Sequence, residues 1–283
     1  MIKAGLIGAS ISGSLTPAMH ETEGQVQGLA YTYRRMDVEG PKFASRTLAE
    51  LLHWARDSGF AGLNITHPFK QTVLPFLNLR SDVADALGAA NTVLFQNGEL
   101  IGDNTDYTAF RRDCERSLKG RDPQRILLAG AGGAGAAVAL ALVDHGVERL
   151  GVFDANKEAA EKLVARLEQL RPKGPACLIT KASADTWDGV VNCTPMGMST
   201  HPGMAINPAK ISGLRWVQDI VYFPLKTRLL AEAEALGLET FTGAGLAIGQ
   251  AADSFRFFTG REPDEIRMRD TFLTHIKEQT IDA

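Results

Sequence analysis

Six residues in the middle of the chain have the spacing of a phosphate-binding loop. Gly130-Ala131-Gly132-Gly133-Ala134-Gly135 matches G-x-G-x-x-G, which alone is a weak signal because glycine-rich turns are common. Here the apolar run Ile126–Ala129 precedes it and an alanine-rich helical pattern follows. Asp154 closes the next apolar run about 20 residues further on. Strand, glycine loop, helix and acidic strand end, in that order, predict a dinucleotide site.

Each position of the loop has a physical reason in this interpretation. Gly130 permits the tight turn, Gly132 lets the backbone approach a pyrophosphate, and Gly135 allows close packing of helix on strand. Gly133 and Ala134 open the helix, whose N-terminus favours negative charge. The alternative is a glycine loop that serves helix packing alone.

Asp154 bears on the choice of dinucleotide. A carboxylate at this strand end accepts hydrogen bonds from the adenosine ribose and repels a 2′-phosphate, so NAD is favoured over NADP. In the alternative, Asp154 only caps the helix that begins near Lys157. Lys157 is also a cation that would tolerate a phosphate.

Two polar segments of the first part of the chain have the character of site loops. Asn64–Lys70 runs from a strand end into a proline turn, and Gly102–Asp106 follows a hairpin. A nicotinamide oxidoreductase that acts on a secondary alcohol needs a group to take the hydroxyl proton. Lysine is one of the side chains that can do this.

The surrounding elements predict an α/β protein. In the first part, strands and helices alternate and end in a hairpin at Asn97-Gly98, which indicates a mixed sheet. The predicted strands are Lys3–Gly8, Tyr31–Met36, Gly62–Thr66, Thr92–Gln96 and Glu99–Gly102, with helices at Thr47–Ser58 and Asp82–Leu87. After a helix that begins near Thr108, the second part has strands at Ile126–Ala129, Leu150–Phe153, Val190–Asn192 and Val217–Val221, with helices at Lys157–Leu170 and Lys226–Leu236.

Composition points to a small-molecule partner. The 283 residues carry a net charge of −3, and no dense basic tract indicates nucleic acid or an anionic membrane. Three separated cysteines, no signal peptide and no membrane-length apolar run favour the cytoplasm. The histidines have no metal-site spacing, so no metal is expected.

Several motifs, in order along nearly the whole chain, resemble those of the shikimate dehydrogenases and most of all their quinate/shikimate dehydrogenase branch. They are GASISGSLTPAMH, GLNITHPFK, GAANTV, GDNTD, GAGGAGAA, NCTPMGM, DIVYFPLKTRLL and GQAADSFRFFTG. The resemblance implies a substrate domain over residues 1–107, completed by a C-terminal helix over about 246–283. It implies a Rossmann domain over 108–245 and a deep cleft between the two domains.

The resemblance also implies the site residues. Lys70 and Asp106 resemble the catalytic pair, in which Lys70 takes the alcohol proton and Asp106 binds the same hydroxyl and holds the lysine. The residues implied to bind substrate are Ser14 and Thr16 for the carboxylate, Thr66, Asn91 and Gln250 for ring hydroxyls, and Tyr222. The residues implied to lie at the cofactor, beyond the glycine loop and Asp154, are Thr194, Pro195, Met196, Val221 and Gly245. For Tyr222 and Gly245 a purely structural role stays open.

The activity implied is reversible oxidation of quinate or shikimate to the 3-dehydro ketone with NAD. Thr16, where the family has a second serine, resembles the branch that uses quinate, whereas Tyr107 and Leu246 depart from the family pattern near the ring. His67 is interpreted as a surface or packing side chain. The alternatives are an NADP-dependent shikimate dehydrogenase of aromatic amino acid biosynthesis, an aminoshikimate-type relative, and a ligand-sensing regulator. The chain is expected to be a monomer or a homodimer.

Overall fold

The computed structural model describes residues 1–119, 124–181 and 185–281. They fold as two units. Unit 1 consists of Met1–Thr108 and the chain from Ile248 onward, and unit 2 of Ala109–Ala247. The unit boundaries fall inside two helices, α4 (Thr105–Ser117) and α8 (Ala244–Thr259).

Unit 1 is built on a six-stranded mixed sheet. Its strands are β1 (Ile2–Gly8), β2 (Tyr31–Asp37), β3 (Gly62–Ile65), β4 (Leu79–Arg80), β5 (Thr92–Gln96) and β6 (Glu99–Asp103). The order is β2-β1-β3-β5-β6-β4, in which β5 pairs antiparallel with β3 and β6 and the other pairs are parallel. Its helices are α1 (Thr16–Val26), α2 (Leu48–Asp57), α3 (Asp82–Leu87) and α9 (Glu265–Ile281), with parts of α4 and α8.

Local sequence accounts for several of these elements. Thr47 caps α2 in a reciprocal capping box with Glu50, which fixes the start of that helix. Asn97 and Gly98 have φ values of 53° and 83° between β5 and β6. Both values suit the type I′ turn expected of Asn-Gly, so the predicted hairpin is confirmed.

Helix α1 has no counterpart among the predicted elements. Its buried face includes His20 and Glu23 as well as Met19, so no apolar stripe is legible in the sequence. Glu23 is fully buried and its Oε2 lies 2.7 Å from Arg267 Nη1 of α9. The ion pair with α9 therefore compensates the cost of burying the Glu23 carboxylate. Because α9 is distant in the chain, no local sequence pattern around Glu23 predicts this pair.

Helix α4 begins earlier than the predicted start near Thr108. Asn91 Oδ1 accepts a hydrogen bond from Thr105 N at 2.7 Å, and Asn104 Oδ1 accepts one from Tyr107 N at 3.4 Å. These bonds satisfy N–H groups that the first helical turn leaves free. Asp106 consequently lies in the first turn of a helix and not in a loop after the hairpin.

Unit 2 is a six-stranded sheet whose pairs are all parallel. Its strands are β7 (Arg125–Ala129), β8 (Arg149–Phe153), β9 (Ala176–Leu178), β10 (Gly189–Asn192), β11 (Trp216–Asp219) and β12 (Glu239–Phe241). Its own helices are α5 (Gly133–His145), α6 (Lys157–Leu170) and α7 (Arg228–Ala235). The order β12-β11-β10-β7-β8-β9 is that of the Rossmann fold, with the switch point between β7 and β10.

Two predicted boundaries in unit 2 are wrong for one reason. The strand predicted to reach Val221 ends at Asp219, and the helix predicted from Lys226 begins at Arg228. The Asp219 carboxylate accepts hydrogen bonds from Val221 N at 3.0 Å and Thr227 Oγ1 at 2.7 Å. It thereby ends the strand and holds the residue that caps α7.

His20 gives unit 1 a stability that depends on pH. The imidazole is fully buried, with Nδ1 2.8 Å from Tyr31 Oη and Nε2 3.1 Å from Ser254 Oγ. Burial lowers its pKa from 6.5 to about 3, because desolvation disfavours the charged ring.

Between pH 6.5 and about 3 the unfolded chain therefore binds a proton that the folded chain does not. The free energy of unfolding should fall as the pH falls through this window, by about 2 kcal/mol at pH 5. Urea unfolding at pH 7 and pH 5 measures it. Between pH 7 and pH 5, His20→Gln should lose about 2 kcal/mol less of its free energy of unfolding than the wild type. His53→Gln, at an exposed position of α2, should lose as much as the wild type. Equal pH dependence in the wild type and His20→Gln would contradict the assignment.

Candidate functional site

Lys70 and Asp106 form an ion pair within unit 1. Lys70 lies in the turn segment after β3, where its carbonyl accepts a hydrogen bond from Ala90 N at 2.8 Å. Its Nζ lies 2.6 Å from Asp106 Oδ2. The Asp106 side chain is only 3% exposed, and the N-terminus of α4 favours its negative charge. The lysine thus has a fixed position while 19% of its side chain remains open to solvent.

Asn91 connects this pair to the sheet. Its Oδ1 accepts hydrogen bonds from Thr105 N at 2.7 Å, Thr105 Oγ1 at 3.1 Å and Thr92 Oγ1 at 3.1 Å. Because a backbone N–H can only donate, the orientation of the amide is settled. The Asn91 Nδ2 has no partner among the described residues and is the group left to donate to a ligand.

A series of hydrogen bonds between polar side chains connects Asn91, through Thr92 and Asn64, to Tyr33. Tyr33 Oη donates to Asn64 Oδ1 at 2.7 Å, and Asn64 Nδ2 donates to Thr92 Oγ1 at 3.1 Å. Asn64 and Thr92 are directly opposed in the β3–β5 ladder. The antiparallel register of these strands therefore brings the two side chains together.

Ser14 and Thr16 present two hydroxyls at the start of α1. Ser14 Oγ lies 3.3 Å from Thr16 Oγ1 and also accepts a hydrogen bond from Thr16 N at 3.4 Å. The Asp37 carboxylate holds the loop before them by accepting from Ser10 N and Ile11 N. Paired hydroxyls at a helix N-terminus suit an anion such as a carboxylate.

The remaining predicted substrate residues are divided between the units. Thr66 is half-buried at the end of β3, and Gln250 is half-buried in the part of α8 that belongs to unit 1. Tyr222 belongs to unit 2, where burial raises the pKa of its hydroxyl. His67 is exposed, as expected of a surface side chain.

In unit 2 the predicted cofactor residues follow the carboxyl ends of parallel strands. The glycine loop follows β7, Asp154 follows β8, Thr194–Met196 follow β10, and Val221 follows β11. A Cβ on Gly130 would lie 2.7 Å from the Cys193 carbonyl carbon, so the loops after β7 and β10 are in contact. Both border the switch point, where ligands of Rossmann folds bind.

Asp154 contacts the glycine loop directly. Its Oδ2 accepts from Ala131 N at 2.7 Å and its Oδ1 from Asn156 N at 2.8 Å. The helix-capping side chain of α6 is Asn156, which accepts from Ala159 N. The alternative in which Asp154 caps this helix is therefore wrong, and the carboxylate instead lies at the loop.

The loop after β10 is organised by a buried amide and a buried acid. Asn192 Oδ1 accepts from Thr194 Oγ1 at 2.7 Å, and its Nδ2 donates to Met196 O at 3.1 Å and Asp219 Oδ1 at 2.9 Å. Burial raises the pKa of Asp219, and this effect is larger than the lowering of the pKa by the hydrogen bonds from Thr227, Val221 N and Asn192. This network gives Thr194–Met196 one defined backbone path.

Packing inside unit 2 by itself explains why position 245 is a glycine. A Cβ there would lie 2.5 Å from Asp113 Oδ1. Asp113 cannot readily move, because its Oδ2 accepts from Gln218 Nε2 at 2.7 Å. This supports the structural alternative for Gly245, and its place at the cofactor stays a proposal.

Sequence reasoning assigned no role to four residues that position the site: Thr92, Thr105, Asn192 and Asp219. Each is polar and almost fully buried. Asn192 and Asp219 end apolar strands, which is a signal readable from the sequence. The roles of Thr92 and Thr105 depend on which side chains the folded sheet places beside them.

Within the described residues no group of three His, Cys, Asp or Glu side chains converges as a metal ligand set. No helix among these residues is long and apolar enough to cross a membrane.

The fold and the site define a class: an α/β protein with a Rossmann unit and a second unit that carries a lysine–carboxylate pair. Residues 6–93 match the model of the shikimate dehydrogenase substrate binding domain. Over 278 residues the chain is 47% identical to the quinate/shikimate dehydrogenase (NAD(+)) of Corynebacterium efficiens, covering 96% of this chain and 98% of that protein. The chain belongs to the shikimate dehydrogenase family.

Two further relatives bear on the fold and on the choice of dinucleotide. The structure of quinate dehydrogenase from Corynebacterium glutamicum in complex with NAD matches with a TM-score of 0.90 and 46% identity, covering 96% of this chain and 99% of that chain. The shikimate dehydrogenase (NADP(+)) of Pseudarthrobacter chlorophenolicus is 43% identical over 286 residues, covering 99% of this chain and 97% of that protein. The predicted family and the prediction of a substrate domain with a Rossmann domain are confirmed.

Proposed function

We propose that the protein oxidises a ring hydroxyl of quinate or shikimate to the 3-dehydro ketone, reversibly, with NAD as hydride acceptor. The observation that carries this is the Lys70–Asp106 ion pair, 2.6 Å between Nζ and Oδ2. It stands in a chain 47% identical to a quinate/shikimate dehydrogenase (NAD(+)).

Lys70 is the proton-transfer group in this proposal. In oxidation the neutral amine takes the proton of the reacting hydroxyl, and in reduction the Lys70 ammonium returns a proton to the alcohol oxygen. Asp106 fixes the Nζ through the ion pair. While Lys70 is the charged ammonium, it donates to the reacting oxygen and Asp106 accepts the hydrogen bond of the hydroxyl; once the amine is neutral, the same proton passes to Lys70 instead. The site therefore holds the reacting oxygen between a donor and an acceptor that are already aligned.

Neutral groups bind the rest of the substrate. The Ser14 and Thr16 hydroxyls donate to the carboxylate, and the Nδ2 of Asn91 donates to a ring hydroxyl because its Oδ1 is occupied. Thr66 and Gln250 bind further ring hydroxyls, and Tyr222 is also assigned to substrate binding. Thr16 in the position of a second serine favours quinate as a substrate.

The residues of unit 2 fit a dinucleotide. A Cβ on Gly132 would meet nothing within 4 Å, and no side chain caps the N-terminus of α5. The free N–H groups and the open space above Gly132 suit a pyrophosphate. NAD would be held by Gly130–Gly135, Thr194–Met196, Val221 and Gly245, and it would supply the acceptor for the hydride that leaves the alcohol carbon. Asp154 accepts hydrogen bonds from the adenosine ribose, which favours NAD over NADP.

A second candidate is an NADP-dependent shikimate dehydrogenase. It has support because a relative of that name is 43% identical to this chain. That identity is close to the 47% shared with the quinate/shikimate dehydrogenase (NAD(+)) of Corynebacterium efficiens. Asp154 opposes it, since its carboxylate would repel a 2′-phosphate. An aminoshikimate-type activity is a variant of the same chemistry, and a ligand sensor is disfavoured because the chain keeps both Lys70 and Asp106.

Initial rates of nicotinamide reduction with quinate and shikimate, each with NAD and with NADP, test the proposal. We expect turnover of both substrates with NAD and a kcat/KM with NADP that is at least 10² lower. Asp154→Ser should narrow that difference by removing the charge. Turnover with NADP and shikimate alone would support the second candidate, and no turnover in any combination would support the aminoshikimate or sensor alternatives.

A further inference from the structure

Arg35 makes a hydrogen bond to the backbone of Ser14, one of the two residues whose hydroxyls lie at the start of α1. It belongs to β2, the edge strand, and its Nη2 donates to the carbonyl oxygen of Ser14 at 2.6 Å. The guanidinium therefore holds the residue whose Oγ lies 3.3 Å from Thr16 Oγ1. Sequence reasoning assigned this arginine no role.

The charge of Arg35 is not compensated locally. No carboxylate oxygen of the described residues lies within 4 Å of its guanidinium, whereas Lys70 is neutralised by Asp106 at 2.6 Å. Arg35 also favours the ionised form of Tyr33 and so opposes the rise in the pKa of that buried phenol. Its positive charge therefore acts on the face of β2 that carries Tyr33.

The neighbouring Arg34 projects to the opposite face of the strand, as successive strand residues do. Its guanidinium lies 5.6 Å from the centroid of the Trp54 ring. The chain thus carries two adjacent arginines of equal charge, of which one contacts the Ser14 loop and the other does not.

We propose that Arg35 is a specificity-determining residue that supplies the positive charge by which the site selects a substrate with a carboxylate. The proposal rests on the proposed function. Hydroxyls alone would also accept a neutral polyol, whereas a cation beside them favours the anion over its uncharged analogue. Arg35 is exposed, so its effect should weaken as salt screens it.

The test compares Arg35→Met, Arg35→Lys and Arg34→Met in the full-length protein. With quinate, Arg35→Met should raise KM about tenfold at low salt, which corresponds to about 1.4 kcal/mol, while kcat changes less than about twofold. Arg35→Lys should recover most of the loss because the charge is kept, and Arg34→Met should match the wild type. Thermal unfolding checks that all three variants are folded.

Methyl quinate, the uncharged ester, separates charge from structure. The KM ratio between Arg35→Met and the wild type should fall from about tenfold for quinate to about one for the ester, and high salt should reduce the quinate ratio. An equal ratio for acid and ester, or Arg35→Lys as impaired as Arg35→Met, would overturn the proposal. So would equal effects of Arg34→Met and Arg35→Met.

Calorimetric titration with quinate measures Kd directly, so the comparison of the Arg35 variants does not depend on turnover. A wild type that binds quinate without turning it over would contradict the proposed function and still allow the Arg35 comparison through Kd. A wild type that binds no quinate would overturn both.

Discussion

Replacement of Lys70 by arginine is expected to lower kcat with quinate and NAD by about 10²–10⁴-fold, the usual contribution of a positioned proton acceptor. Arginine keeps the positive charge beside Asp106, but its guanidinium does not give up a proton in proteins. The variant should therefore stay folded and bind substrate while proton transfer fails. Steady-state kinetics with KM and kcat reported separately measure this, since KM should change only a few-fold.

Lys70→Met is the complementary change. It removes the amine and leaves the nearly buried Asp106 carboxylate without its partner, so it should lower the free energy of unfolding as well as kcat. Lys42→Met provides the matched control, because Lys42 is an exposed lysine of the same unit beside the Phe43 ring. Near-normal turnover of Lys70→Arg would refute the role given to Lys70.

We expect Gly135→Ala to lower the stability of the fold and Gly132→Ala to weaken cofactor binding. A Cβ at Gly135 would lie 2.0 Å from the carbonyl oxygen of Gly130, which is backbone and cannot rotate away. Gly135→Ala should therefore lower the free energy of unfolding by about 3 kcal/mol, the upper range for overpacking. Urea unfolding without cofactor measures this.

At Gly132 the same methyl group has room, and the φ of −76° is allowed for alanine. Gly132→Ala should keep the wild-type stability and raise the KM for NAD at least tenfold, because the methyl group occupies the space assigned to the pyrophosphate. Equal stability of the two variants would contradict the packing role of Gly135. An unchanged KM for NAD in Gly132→Ala would contradict the position assigned to the cofactor.

The fold class and the positions of most elements were predictable because their determinants are local. Asn97-Gly98 specifies a tight hairpin, Thr47 with Glu50 specifies a helix start, and the glycine loop after an apolar strand specifies the first turn of a Rossmann unit. Such signals depend on backbone conformation and neighbouring hydrogen bonds, which a few adjacent residues decide. The motif resemblance extended the same local information to the family.

Tertiary structure decided what buried polar groups contact. Helix α1 was not predictable because His20 and Glu23 face the core, and their partners Ser254 and Arg267 are more than 200 residues away in the chain. The start of α4, and with it the place of Asp106, depends on an amide of another element, Asn91.

Sequence alone therefore determined the α/β class, the Rossmann order and the types of residue available for chemistry. Only the folded chain determined that the Nδ2 of Asn91 is the donor left for a ligand and that Arg35 rather than Arg34 holds Ser14. The pairing of Lys70 with Asp106 was already implied by the motif resemblance, and the folded chain supplied its geometry. The physical reason is that a buried polar group must find a partner. Strand register and long-range helix packing choose which partner it finds.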